Sequence, residues 1–245
     1  MRVHEACHRR VKCTIDSPSP ESHDLQDLDE YVRNLVQETI GKREAEKPKY
    51  AQAATLGLAG FGLTTLLLQC HNFKWMGVGP IIWLGIVFGG LCQIIAGVLE
   101  FYSGDNFGLT AFGSYGAFWI SFGLMVIGNH YGISPASATD SGFFLLAFCI
   151  FSVIMLVGAF GISMAMALTF LTLVFGISFL CVDEFVGIAG FKIAGAVFLS
   201  MAALIAWYMM AHLIYKQVFK SDLLPVGKPP TFFYKRYISK RYGRR

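Results

Sequence analysis

From Gln52 to Tyr215 the chain is a succession of apolar runs, and six of them are long enough to cross a bilayer. They cover about 52–70, 76–101, 106–128, 141–162, 164–182 and 187–215. A helix crossing a hydrocarbon core ~30 Å thick needs about 20 residues. Inside lipid every backbone N–H and C=O must be bonded within the protein, which leaves only helices and closed barrels. Runs of this length exclude the barrel. The expected fold is an all-α polytopic membrane protein, with six transmembrane helices in a compact bundle. The first and fifth runs are minimal, and the sixth is long enough to project beyond the bilayer. Connections are short: CHNFKW, SGDN, the longer NHYGISPASATD, and an almost absent turn near Ser163.

Charge divides the chain in the same places. Residues 51–215 carry only Lys74, Lys192, Glu100, Asp105, Asp140, Asp183 and Glu184. Residues 1–50 hold nine Lys/Arg and ten Asp/Glu, and residues 216–245 hold nine Lys/Arg against Asp222 alone. The organisation expected is a disordered arm over 1–20, a cytosolic amphipathic helix over 21–50, the membrane domain over 51–215 and a basic cytosolic tail over 216–245. The helix expectation rests on Leu25, Leu28, Val32, Leu35, Val36 and Ile40, which recur three or four apart, with Pro48 as the breaker. Such a helix lies on the membrane or on its own protein, or pairs with copies of itself. The basic tail places the C-terminus in the cytosol, and six spans bring the N-terminus to the same side. Segments holding Lys74, Asp140 and Asp183–Glu184 are then outward loops. The tail's aromatic and basic residues suit anionic headgroups; nucleic acid is not an expected partner. No apolar run follows the first basic residues, so a secretory signal is not expected. Arg2, Arg9, Arg10 and Lys12 leave an organelle membrane as the alternative to the plasma membrane.

The six cysteines (Cys7, Cys13, Cys70, Cys92, Cys149 and Cys181) are scattered, with no CxxC pair, so neither a disulfide framework nor a metal site is expected. No GxGxxG, P-loop, GxSxG or HExxH is present, and neither enzymatic activity nor a cofactor is expected.

The spans are not simple anchors. Their glycines permit close helix packing where lipid supplies little drive for association. Their polar residues are mild hydrogen-bonding types: Thr64, Thr65, Gln69, Gln93, Thr110, Ser114, Thr169 and others. Serine and threonine return their hydroxyls to the backbone readily, so singly they say little. Gln93 says more, because an amide deep in a span must find partners or line a wet cavity. Glu100 is read as an interfacial or structural acid, or as a proton or substrate group. The set suits a small solute that sheds its water gently.

Three stretches resemble the acetate uptake transporter family, which includes bacterial succinate–acetate permeases and fungal acetate transporters. They are LGLAGFGLTTLLLQCHN at 56–72, GGLCQIIAGVLEFYSGDNFGLTAFGSYGAFW at 89–119, and ALIAWY at 203–208 followed by LLPVG at 223–227. Two departures stand out. The family's NPAPLGL is here QAATLGL at 52–58, and its GNTFG is here Gly104-Asp105-Asn106-Phe107-Gly108. The resemblance implies a homohexamer with one pore per protomer, narrowed by a Phe, a Tyr and a Leu. By motif these are Phe61 and Tyr115, with Leu171 for the fifth span and Leu173 and Leu168 as its alternatives. Phe61, Tyr115 and Leu171 lie nine, nine and seven residues into their spans, roughly 10–14 Å from each start, a shared depth near mid-membrane. The function implied is transport of acetate and related monocarboxylates, with succinate as a possible second substrate and protons as the coupling ion. Thr64, Thr65, Gln93, Thr110 and Ser114 would supply hydrogen bonds along the way. A channel or exporter for ammonia or another small neutral solute is the alternative, and a non-transporting scaffold or sensor is a third.

Overall fold

A computed structural model describes residues 28–39 and 51–232. Residues 28–39 form a helix by themselves, with Leu28, Val32, Leu35 and Val36 all exposed along it. The remainder of the expected amphipathic helix, the arm over 1–20 and the tail beyond residue 232 lie outside the described residues.

Residues from Gln52 onward form the second unit. Among its described residues are six long helices: α1 (Ala54–Asn72), α2 (Gly79–Ser103), α3 (Asn106–Tyr131), α4 (Ala138–Ala159), α5 (Met164–Val186) and α6 (Ala189–Phe219). All six are long and apolar enough to cross a membrane. Five of the six helices run two to four residues past the apolar runs at their C-terminal ends, and α4 starts three residues before its run, because polar residues complete these terminal turns. Asp140 and Asp183–Glu184 are examples. They fall not in loops, as the hydropathy suggests, but in the first turn of α4 and the last turns of α5. Asp140 forms a reciprocal cap with Ser137, each satisfying the other's backbone N–H. Asp183 pairs with Lys192 of α6 at 3.4 Å.

Helix starts explain the short connections. Asp105 caps α3 by accepting from Phe107 N–H (2.9 Å), and Ser163 caps α5 by accepting from Met166 N–H (3.1 Å). Asp105 thus fills a structural post, which accounts for an acid in that tight corner. Gly104 ends α2 with a φ of 73°, in the left-handed region that glycine adopts without strain. The α1 start lacks a side-chain cap on Ala53; Thr55 Oγ1 donates to the Gln52 carbonyl instead (2.7 Å).

Around the bundle the closest neighbours run α4–α5–α6–α1–α2–α3. Backbones touch at glycines: a methyl on Gly60 of α1 would stand 2.6 Å from the Phe88 carbonyl of α2, and one on Gly97 of α2 would stand 2.8 Å from Gly113 N of α3. Over Gly85–Cys92, α2 adopts π-helical turns, a feature that often marks functional helices. The ring closes between α3 and α4 chiefly through side chains. Phe118 stacks on Phe144 with centroids 5.3 Å apart and meets Phe148 edge-on at 4.9 Å.

Beyond α6 the chain reverses at Lys220 and returns across the bundle to the start of α5. This strap is held through three successive carbonyls. Leu224 accepts from the His212 ring, Pro225 from the Tyr208 hydroxyl (2.9 Å), and Val226 from Ala165 N–H (2.9 Å). Asp222 adds an ion pair to Lys216 at 3.1 Å.

Candidate functional site

Six alternating spans give the bundle two ends. Face I holds the start of α1 and the end of α6; face II holds the end of α1. A cavity enters from each. The face I cavity has a volume of about 320 Å³, and its wall includes Leu58, Gln93, Asp105, Met166, Thr169, His212 and Val226. The face II cavity is about 330 Å³, with Thr65, Gln69, Asn72, Trp119, Glu184 and Lys192 in its wall. Three residues line both: Phe61, Tyr115 and Leu173. They form the wall between the cavities, and all three are buried.

Three helices supply them, each through a stripe at spacings of three and four. On α1 the stripe runs Ala54, Leu58, Phe61, Thr65, Leu68 and Asn72; on α5 it runs Met166, Thr169, Leu173, Ile177, Leu180 and Glu184. This is the periodicity of one helix face. Phe61 and Tyr115 approach with ring centroids 6.0 Å apart and planes tilted by 59°. Behind them Phe151 lies 5.6 Å and Phe170 6.2 Å from the Tyr115 ring. The Tyr115 hydroxyl reaches across to Ser152 Oγ of α4 at 2.8 Å.

The structure sorts the residues singled out from sequence. Phe61 and Tyr115 stand together at the shared wall. Leu171 is half-buried and lines neither cavity; Leu173, one of its two alternatives, lines both. Leu168 is exposed. The reason is rotation: two residues along a helix turn a side chain by about 200°. Among the polar set, Thr65 and Gln93 line a cavity, one on each side. Thr64 is fully buried between α1 and α2, donating to the Gly60 carbonyl (2.7 Å). Glu100 is buried beside Gly108 of the face I wall and is itself in the lining of neither cavity. Thr110 is exposed, Ser114 is half-buried, and neither lines a cavity. They occupy the side of α3 turned away from the Tyr115 stripe.

Gln93 carries a further signal. Its side-chain Oε1 is buried without a hydrogen-bond partner, at a cost of about 1–3 kcal/mol if nothing ever meets it. On face II, Asn72 donates to Gln69 (2.9 Å), which donates to the Thr65 carbonyl (2.8 Å), a run of amides down α1 toward Phe61. Site residues not selected from sequence are Leu173 as first choice, Ser152, and the face II charges Glu184 and Lys192. The α5 stripe, followed residue by residue, would have picked out Leu173 and Glu184.

The GPR1/FUN34/yaaH family model matches residues 37–224. The succinate-acetate/proton symporter SatP of Escherichia coli (strain K12) is 34% identical over 183 residues, which is 74% of this chain and 97% of that protein. Ammonia transport outward protein 2 of Saccharomyces cerevisiae is 35% identical over 185 residues, 69% of this chain and 63% of that protein. The solved structure of the bacterial acetate channel SatP superposes with a TM-score of 0.71 at 31% identity, covering 73% of this chain and all of that one (100%).

Proposed function

The chain belongs to the GPR1/FUN34/yaaH family, and on that footing we propose that it is a membrane transporter or channel for acetate and related short monocarboxylates, taking succinate as well and moving its cargo with protons. One observation carries this reading: among the described residues, Phe61, Tyr115 and Leu173 line both cavities. A wall of two aromatic rings and a leucine passes a small molecule with an apolar end and stops hydrated ions. An isolated carboxylate is costly in such a collar, which favours the protonated acid and makes proton movement part of the cargo. On face II, Lys192, paired with Asp183, and Glu184 supply charged groups at the mouth. Thr65 on one side and Gln93 on the other supply hydrogen bonds as hydration is shed. The family resemblance and the glycine-rich faces support a homohexamer with a pore in each protomer. The basic tail supports an orientation with both termini, and face I, in the cytosol, in the plasma membrane or, as the alternative, an organelle membrane.

The test is uptake of labelled acetate and succinate into vesicles holding the purified protein, with Phe61→Ala and Tyr115→Ala beside the wild type. Altered rate or altered acetate–succinate selectivity is expected in both variants. Unchanged uptake and selectivity in both would sink the constriction. A second reading draws on the yeast relative's name and on the uncharged collar, which suits ammonia as well as a neutral acid. Ammonia movement without acetate uptake in the same vesicles would favour it. Movement of neither solute would favour a scaffold.

A further inference from the structure

Resting on the transport reading above, we infer that Ser152 of α4 is a specificity-determining residue: it fixes which way the Tyr115 hydroxyl points its proton, and so which protonation state of the solute the collar accepts. The argument is one of proton counting. A serine hydroxyl has one proton and two lone pairs. Ser152 Oγ stands 2.6 Å from the Phe148 carbonyl oxygen. A carbonyl has no proton to give, and two oxygens at that distance repel unless a proton lies between them. The Ser152 proton is therefore committed to Phe148. Ser152 Oγ also stands 2.8 Å from the Tyr115 hydroxyl, and that bond needs a proton too. With its own already spent, Ser152 accepts and Tyr115 donates.

The surroundings hold this arrangement. Ser152 is wholly buried, so no water competes for it. The rings of Phe61, Phe148, Phe151 and Phe170 pack around Tyr115 and offer its hydroxyl no other oxygen. The Cys149 thiol, a titratable neighbour on α4, is engaged with Ser178 of α5 at 3.1 Å. No charged side chain lines the wall shared by the two cavities. A solute that reaches the Tyr115 hydroxyl therefore meets lone pairs only. A carboxylate is also acceptor-only, so at the collar it finds no donor and meets lone pairs head-on. A protonated carboxylic acid, or ammonia, brings its own N–H or O–H and finds an acceptor. The selection comes from hydrogen-bond polarity, in addition to the cost of carrying charge into an apolar ring.

Replacing Ser152 by alanine releases the Tyr115 proton. The hydroxyl can then turn and donate to a carboxylate. The measurement is exchange of labelled acetate across vesicles holding the full chain, at equal pH inside and out, at about pH 6 and about pH 8. Above the acid's pKa the neutral fraction falls about tenfold per pH unit, so the wild type should slow about 100-fold between the two. In Ser152→Ala the ratio should shrink to about tenfold or less through a gain at the higher pH, since a hydrogen bond donated to a charged acceptor is equivalent to about tenfold or more in rate. Ser152→Thr keeps the hydroxyl and should keep the wild-type ratio. In Tyr115→Phe the Ser152→Ala substitution should no longer change the ratio, because its effect passes through the missing hydroxyl. If the alanine variant does not reach the vesicles, Ser152→Cys, a weak acceptor, should shift the ratio the same way. A wild-type ratio in the alanine variant, or equal slowing at both pH values, overturns the inference and leaves Ser152 a packing residue. A wild-type ratio near one also overturns it. Absence of acetate exchange in the wild type overturns the transport reading itself, a result plainly different from the others.

Discussion

Gly97 and Gly113 meet where α2 crosses α3, yet a methyl group should be tolerated at only one of them. A Cβ on Gly97 would stand 2.8 Å from Gly113 N, 3.2 Å from the Leu109 carbonyl oxygen and 3.3 Å from Gly113 Cα. All three are backbone atoms, so no rotamer change relieves the contact. Restoring an ordinary carbon–nitrogen separation moves α3 away by roughly 0.6 Å, and a gap of that size forfeits about a quarter to a half of each dispersion contact across the crossing. Overpacking of this kind costs about 1–3 kcal/mol, against about 1 kcal/mol regained from glycine's helix penalty. The net for Gly97→Ala is a loss of up to about 2 kcal/mol. A Cβ on Gly113 meets nothing within the protomer, so Gly113→Ala should be neutral or up to about 1 kcal/mol stabilising. Both variants regain the glycine penalty, so they should differ by the overpacking cost alone, about 1–3 kcal/mol, roughly 2–12 °C in Tm for a chain of this size. Thermal unfolding in detergent, followed by the loss of monodisperse protein on size exclusion, reads that difference. Function should follow, because Tyr115 sits two residues beyond Gly113 and moves with α3 relative to Phe61. Gly97→Ala should slow acetate flux, and Gly113→Ala should leave it near wild type. A Gly97→Ala protein as stable as Gly113→Ala would refute the claim that this crossing is set by backbone contact.

Leu173→Ala should join the two cavities and raise the flux of longer monocarboxylates relative to acetate, whereas Leu171→Ala should leave that ratio unchanged; parallel uptake of an acetate-to-butyrate series checks both. Asp105→Ala removes the α3 cap and should cost about 1 kcal/mol, while Asp105→Asn keeps an acceptor for Phe107 N–H and should cost a few tenths at most, both readable as Tm.

The architecture was open to sequence reasoning because bilayer thickness imposes a length on each span, and charges are sparse in all six. Phe61 and Tyr115 were legible because motifs surround them. In α5 no motif sets the rotation, and Leu168, Leu171 and Leu173 differ only in which way they face. Depth was readable, since 1.5 Å per residue is fixed; azimuth was not, since it depends on neighbours. The same blindness selected Thr110 and Ser114, which share a helix with Tyr115 but point elsewhere. Ser152 was invisible for a different reason. A lone serine in an apolar span is ordinary, and its meaning lies wholly in a tyrosine 37 residues away in the chain.

The strap after α6 has its own consequence for how this protein varies. Its hold on the bundle is read through the carbonyls of Leu224, Pro225 and Val226, which every amino acid possesses. Substitutions along it should therefore be absorbed readily. Insertion or deletion of a single residue between Lys220 and Val226 is another matter, because it slips all three carbonyls past His212, Tyr208 and Ala165 at once. In this stretch the inherited quantity is spacing, and the letters matter less than their number.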